Sequence, residues 1–183
     1  MPVEIEKKYR LTPRQREEIR ARLPEIGAEL DRTDFEVNTL YAGDSIDPQR
    51  AVLRLRRVGP RAILTFKERL PGSSTIKQQL EDETSVGDPD AMDAILESLG
   101  LNPTLIYEKR REVWQFGETE IVLDELPFGL FMEIEGEENS INDIEKKLAI
   151  KRLKAETATY PQLSREHGIE NDGVIEARFA EEQ

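Results

Sequence analysis

Charged side chains recur at intervals of two along this sequence. The sets are Glu4, Glu6 and Lys8; Arg54 and Arg56; Thr65 and Lys67; Glu81 and Glu83; Lys109 and Arg111; and Glu133 and Glu135, while Asp124 ends the apolar run Ile121-Val122-Leu123. In a β-strand that interval puts neighbours on one face. Each set alone reads as the solvated side of an antiparallel sheet. Together they amount to six cations (Lys8, Arg54, Arg56, Lys67, Lys109, Arg111) and seven carboxylates (Glu4, Glu6, Glu81, Glu83, Asp124, Glu133, Glu135). Near-balanced sets of this kind suit a polyphosphate with a divalent ion: Arg and Lys clamp phosphate oxygens, and carboxylates hold the metal.

The elements that must present these charges are legible from their period. Residues 3–11, 34–43, 51–57, 62–69, 75–86, 105–116, 119–126 and 130–135 read as strands, joined by turn signals such as Gly59-Pro60, Gly117-Glu118 and Pro127-Phe128-Gly129. Three helices interrupt them. Thr12-Pro13 opens one whose Ile19, Leu23 and Ile26 lie at helical spacing before Gly27. Asp88-Pro89 opens a second, with Met92, Ile95, Leu96 and Leu99 as its stripe, and a third follows Ser140 with Ile144, Leu148 and Ile150. Short turns between successive strands argue for a meander, and eight antiparallel strands can close on themselves and so remove their edges. The expected fold is therefore α+β, an eight-stranded antiparallel closed barrel with helices packed outside. Their apolar stripes cover the outer faces, which leaves the charged faces pointing inward. Residues 1–169 are expected to form one domain, and the polar, acidic 170–183 a C-terminal tail or peripheral helix.

Composition narrows the chemistry further. Lys plus Arg is 26 and Asp plus Glu 38, a net charge of −12, which opposes binding to nucleic acid. With no cysteine and a single histidine, His167, any metal must sit among carboxylates, which favours hard ions such as Mg²⁺ or Mn²⁺. His167 itself, without His or Cys company, reads as a surface residue, and Trp114, Phe116, Tyr41 and Phe35 as packing. No apolar run approaches the ~20 residues of a membrane span, and the beginning, MPVEIEKKYR, is too acidic for a signal peptide. A cytoplasmic location is expected, with no membrane partner. Charged residues make up 35% of the chain and mean hydropathy is −0.61, yet the clean period-two alternation argues against disorder.

The order of these motifs resembles the CYTH domain, also called the triphosphate tunnel metalloenzyme family, which takes in class IV adenylate cyclases and thiamine triphosphatases. Glu4-Ile5-Glu6-Lys7-Lys8 matches its opening E-x-E-x-K, followed by LRLRR at 53–57, LTFK at 64–67, the paired acids at 81–83, KRR at 109–111, LDE at 123–125 and FMEIE at 131–135. Tyr160-Pro161-Gln162-Leu163 is similar to the family's C-terminal helical trailer, whereas Gln79 stands where relatives often carry arginine. The resemblance implies a tunnel that binds triphosphate and Mg²⁺ or Mn²⁺. Lys8, Arg54, Arg56, Lys67, Lys109 and Arg111 would then hold the triphosphate. Glu4, Glu6, Asp124, Glu133 and Glu135 would be metal ligands. Lys8, Lys67, Glu81 and Glu83 would serve the chemical step, the two acids either as ligands or as partners that hold the cations.

Four functions remain open on this reading. The first is a metal-dependent triphosphatase acting on inorganic triphosphate or a small organic triphosphate. The same residues serve a class IV adenylate cyclase, in which the ribose 3′-hydroxyl attacks and pyrophosphate leaves. The others are a polyphosphate-binding module without turnover and a charged sandwich whose acidic face meets a basic partner. The expected partner is a small-molecule triphosphate, with the chain acting as a monomer or homodimer.

Overall fold

The computed structural model describes residues 6–48, 50–69 and 79–180. In chain order the elements are β1 (Glu6–Leu11), α1 (Pro13–Glu25), β2 (Glu29–Ala42), β3 (Ala51–Val58), β4 (Arg61–Arg69), β5 (Gln79–Val86), α2 (Pro89–Ser98), β6 (Asn102–Phe116), β7 (Thr119–Leu126), β8 (Gly129–Glu135), α3 (Glu138–Lys147), β9 (Ala155–Glu156), α4 (Tyr160–His167), β10 (Ile169–Asn171) and β11 (Val174–Ala177). The chain gathers into two compact units. One holds Phe35–Glu108 with the stretch from Tyr160 onward, the other Glu4–Asp34 with Lys109–Thr159.

The expected closed barrel is not what forms. Among the described residues the strands run β5-β4-β3-β2-β6-β7-β8-β1-β9, a path with two ends, and β10 and β11 lie off it, so the sheet is open and eleven-stranded. One edge of β1 pairs with β8, and part of the other, at Lys8 and Tyr9, is taken by the two-residue β9 through Lys8↔Glu156 and Tyr9↔Ala155. A short strand of this kind blunts an exposed edge without closing the sheet.

In the unit built on β1, β7 and β8, the core lies on the face opposite the charges. Tyr9, Ile121, Leu123, Met132, Ile134 and Trp114 meet Ile19 and Leu23 of α1 and Ile141, Ile144 and Leu148 of α3. Helix α1 starts where its cap dictates: Gln15 N donates to the Thr12 hydroxyl at 3.3 Å, Thr12 N donates to Gln15 Oε1 at 2.8 Å, and Pro13 fills the first turn. Helix α3 begins at Glu138, before the expected start after Ser140, with no side-chain bond from its N-cap. Its Glu145 carboxylate is buried and accepts hydrogen bonds from the Tyr9 hydroxyl and Lys7 Nζ, which ties the helix to β1. Burial pushes the Glu145 carboxyl up, but those two donors and Lys151 outweigh it and hold the group below its ordinary 4.5. A carboxylate with a lowered folded pKa stabilises fully above the unfolded value and loses that contribution as pH falls through the folded one. Glu145→Gln is therefore expected to flatten stability on the acid side, below about pH 4.5, relative to the parent in urea melts taken from pH 3 to 7. An unchanged acid limb would show that the tie carries no charge-dependent stability.

In the other unit, Tyr41, Leu53, Leu55, Ala62 and Val86 pack with Leu96 and Met92 of α2. Asp88 caps this helix by accepting from Asp90 N at 3.1 Å and Ala91 N at 3.0 Å. Its stripe is narrower than expected, since Ile95 and Leu99 are exposed and only the 92/96 pair packs inward. Val52 pairs with Lys67 and so shares the charged face. The C-terminal stretch is neither a loose tail nor a helix. β10 and β11 form a hairpin around Asp172 (φ 48°) and Gly173 (φ 83°), a two-residue turn with both central residues left-handed, as an Asp-Gly pair supplies. β11 then runs parallel to β6 through Ile175↔Leu105 and Ala177↔Tyr107. Gly168 permits the join, because a Cβ there would lie 2.6 Å from Ser164 O and 2.9 Å from Glu176 O. Glu108 secures the end, accepting from Arg178 Nη1 at 3.1 Å and Phe179 N at 2.9 Å. Among the described residues no helix is long and apolar enough to cross a membrane.

Candidate functional site

In the unit of β1, β7 and β8, register decides which charges meet. Lys8↔Glu133 and Glu6↔Glu135 pair across β1 and β8, Asp124↔Phe131 and Glu120↔Glu135 across β7 and β8, and Arg111↔Asp124 across β6 and β7. Cross-strand partners share a face, so Glu6, Lys8, Arg111, Asp124, Glu133 and Glu135 stand together on the side opposite the core. They link into one chain. Lys8 Nζ lies 3.2 Å from Glu133 Oε1 and donates to Ala158 O at 3.2 Å. Arg111 donates to both oxygens of Asp124, at 2.7 and 2.6 Å, and to Glu133 Oε2 at 2.7 Å. Lys109 Nζ sits 3.8 Å from Asp124 Oδ2. Asp124 is fully buried, Lys109 is 3% exposed and Lys8 6%. Charges this deep persist only when paired, and the two-pronged Arg–carboxylate contact is the strongest pairing available. Glu6 joins this chain from β1, with Oε1 3.8 Å from Lys8 Nζ, so three cations and three carboxylates are linked on this face.

In the other unit the register places Arg54 beside Thr65, Thr65 beside Glu83, and Lys67 beside Glu81, all on the side away from α2. Lys67 Nζ donates to Glu81 Oε2 at 2.5 Å, Thr65 donates to Glu83 Oε1 at 2.7 Å, and Arg54 Nη2 donates to Thr65 at 3.3 Å. Partial burial pushes the Glu83 carboxyl up, yet the hydrogen bond from the Thr65 hydroxyl and the nearby Arg56 and Arg54 guanidiniums hold it below the ordinary carboxylate value. It is thus a carboxylate at neutral pH and a poor proton acceptor.

Three residues of this face escaped the sequence reading: Glu36, Asn38 and Tyr107. Glu36 is 2% exposed and Asn38 fully buried; Asn38↔Arg56 and Leu40↔Arg54 place them on the arginine side. Burial raises the Tyr107 phenol above its usual value, against the pull of Arg54. The signal was present as the interval of two between Glu36 and Asn38, but it was hidden in a segment read as strand packing. As expected, Trp114 and Tyr41 are core residues, and His167 is exposed at the end of α4.

The carboxylates differ in their fitness for a metal. Glu6, Glu135 and Glu120 lie side by side on three successive strands and offer the oxygen donors a hard dication takes, with Lys8 Nζ 3.8 Å from Glu6 and Arg32 Nη2 3.9 Å from Glu120. Asp124 and Glu133 spend oxygens on Arg111. Glu4 lies outside the described residues. Among those described, no group of three or more such residues is placed to hold one ion.

Residues 2–166 match the family model of the CYTH domain. Comparison with curated proteins finds no significant match. Among solved structures, a protein from Pyrococcus horikoshii OT3 is 26% identical with a TM-score of 0.70, over 87% of this chain and 97% of that one. A candidate adenylate cyclase from Vibrio parahaemolyticus is 21% identical with a TM-score of 0.68, over 88% of this chain and 97% of that one. A candidate adenylyl cyclase from Hippeastrum, described by a dominant triphosphatase activity, is 17% identical with a TM-score of 0.68, over 91% and 96%.

Proposed function

Because the chain belongs to the CYTH domain family, we propose that it is a divalent-metal-dependent hydrolase of triphosphates, either inorganic triphosphate or a small organic one. The observation that carries this reading is the buried chain Lys8–Glu133–Arg111–Asp124–Lys109, which gathers three cations on one face of the sheet. Lys and Arg placed in this way can donate to phosphate oxygens. The dominant triphosphatase activity named for the Hippeastrum relative supports hydrolysis over cyclisation.

Catalysis of phosphoryl transfer rests on positioning and on neutralising charge, with little covalent work for the protein. Lys8, Lys109 and Arg111 in one unit, and Arg54, Arg56 and Lys67 in the other, hold phosphate oxygens. Lys8 and Lys67 are the cations assigned to the chemical step. Glu81 keeps Lys67 in place, and Glu83 with Thr65 keeps Arg54. Glu6 and Glu135 hold Mg²⁺ or Mn²⁺, with Glu4, Asp124 and Glu133 as further oxygen donors; the ion supplies additional neutralisation of phosphate charge.

Incubation with inorganic triphosphate, ATP and thiamine triphosphate, each with Mg²⁺ and with Mn²⁺, tests the reading. Release of orthophosphate is the expected result. Cyclic AMP with pyrophosphate would assign the chain to the cyclases instead, the activity named for the Vibrio parahaemolyticus relative. Thermal stabilisation without product would mark a binding module, and saturating triphosphate should add ~2.7 kcal/mol at 100 times the dissociation constant.

A further inference from the structure

The face that carries Arg54 and Arg56 also holds a carboxylate for which phosphate binding has no direct use. Glu36 is 2% exposed, its Oε2 accepts from Asn38 Nδ2 at 3.3 Å, and the same oxygen lies 3.6 Å from Arg56 Nε. A buried carboxylate gives up much of its hydration, and here one of its oxygens faces both the Asn38 amide and the Arg56 guanidinium. The charge also works against anion affinity, because it cancels part of the Arg56 field where phosphate oxygens would arrive. A fold built only for affinity gains nothing from it.

What the charge does is direct Arg56. Asn38 is the register partner of Arg56 and has no exposed surface, so its position is set by packing. Its amide orientation is set as well: the NH₂ group faces the Glu36 carboxylate, which can only accept, and the carbonyl Oδ1 is left with no hydrogen-bond partner. Leaving that acceptor orphaned is costly, and what the amide gains in this orientation is the NH₂ contact with Glu36. Tyr107, buried beside the same arginines, feels both Glu36 and Arg54 and remains a protonated phenol.

We propose that Glu36, fixed by Asn38, is a positioning residue that aims Arg56 at the substrate's phosphates, giving up ground-state affinity for a guanidinium held in one orientation. The proposal rests on the reading of Arg56 as a phosphate-binding residue. Its signature is a split between binding and turnover. A scaffold residue, once removed, lowers stability and lowers binding and rate together; a positioning charge moves them apart.

The test compares the parent with Glu36→Gln, Glu36→Asp and Asn38→Ala, using calorimetric binding of metal-free inorganic triphosphate, steady-state hydrolysis with Mn²⁺, and melting temperature. Glu36→Gln is expected to bind triphosphate as tightly as the parent or several-fold tighter, while kcat falls by about 10–100-fold, the range typical of losing a group that orients a ligand. Glu36→Asp keeps the charge and should recover part of that loss. Asn38→Ala should follow Glu36→Gln in direction, which keeps the test open if one variant folds poorly. Parental kcat in Glu36→Gln, or a loss of binding and rate in proportion to a loss of folded protein, would overturn the proposal. A parent that neither binds nor hydrolyses triphosphate would instead overturn the functional reading on which it rests.

Discussion

Arg111→Ala should be the most damaging single substitution in the protein, abolishing triphosphate binding and destabilising the fold by about 3–5 kcal/mol. The basis is the position of Asp124. That carboxylate is fully buried, takes two hydrogen bonds from Arg111 at 2.7 and 2.6 Å, and otherwise has Lys109 at 3.8 Å. Glu133 loses a 2.7 Å donor in the same step and falls back on Lys8. Removing one member of a buried pair exposes the other to its full desolvation penalty, whereas removing both is far milder. The double variant Arg111→Ala/Asp124→Ala should therefore be less destabilised than the single one. Urea denaturation of both, with triphosphate calorimetry on whichever remains folded, decides the matter. Parental stability in Arg111→Ala would mean that the chain of charges is not what holds these strands together.

Glu6→Gln is expected to separate metal use from phosphate binding. Glu6 and Glu135 are direct cross-strand neighbours, so the substitution removes one of two adjacent charges while keeping shape. Triphosphate binding without metal should hold or tighten, because a repelling carboxylate is gone. Hydrolysis with Mn²⁺ should fall by at least the roughly 10–100-fold that follows loss of a group which merely orients a metal ligand. The affinity for Mn²⁺ alone, measured by calorimetry, should fall with it. Full turnover in Glu6→Gln would remove Glu6 from the metal role and leave the charged face as a purely cationic binder.

The parts of the fold with short-range causes were readable along the chain. Thr12, with Gln15 three residues later, encodes the start of α1, and Asp88-Pro89 that of α2, because caps act within one turn. The interval of two marks most of the charged strand faces, though not that of Glu36 and Asn38 on β2. Where such signals were weak the reading slipped: α3 has no side-chain cap and starts earlier than expected, and the stripe of α2 includes two residues that remain exposed. The Asp172-Gly173 turn is legible in principle, but its flanking strands are only three and four residues long, too short to show a period of two.

By itself, then, the sequence determined which residues carry charge on strand faces, where most helices begin, and to which family the order of motifs belongs. It did not determine which carboxylate answers which cation. That depends on register: the residue opposite Lys8 is Glu133 only because β1 pairs with β8 from Glu6↔Glu135 to Leu11↔Leu130, and a slip of one residue would invert every face. Tertiary structure alone decided that Arg111 holds both Asp124 and Glu133, that Glu36 and Asn38 are buried beside Arg56, and that the sheet stays open. At β1, Ala155 and Glu156 occupy part of the edge that a closing strand would use. A pairing of that length leaves no periodic trace in sequence, since its hydrogen bonds join segments more than a hundred residues apart.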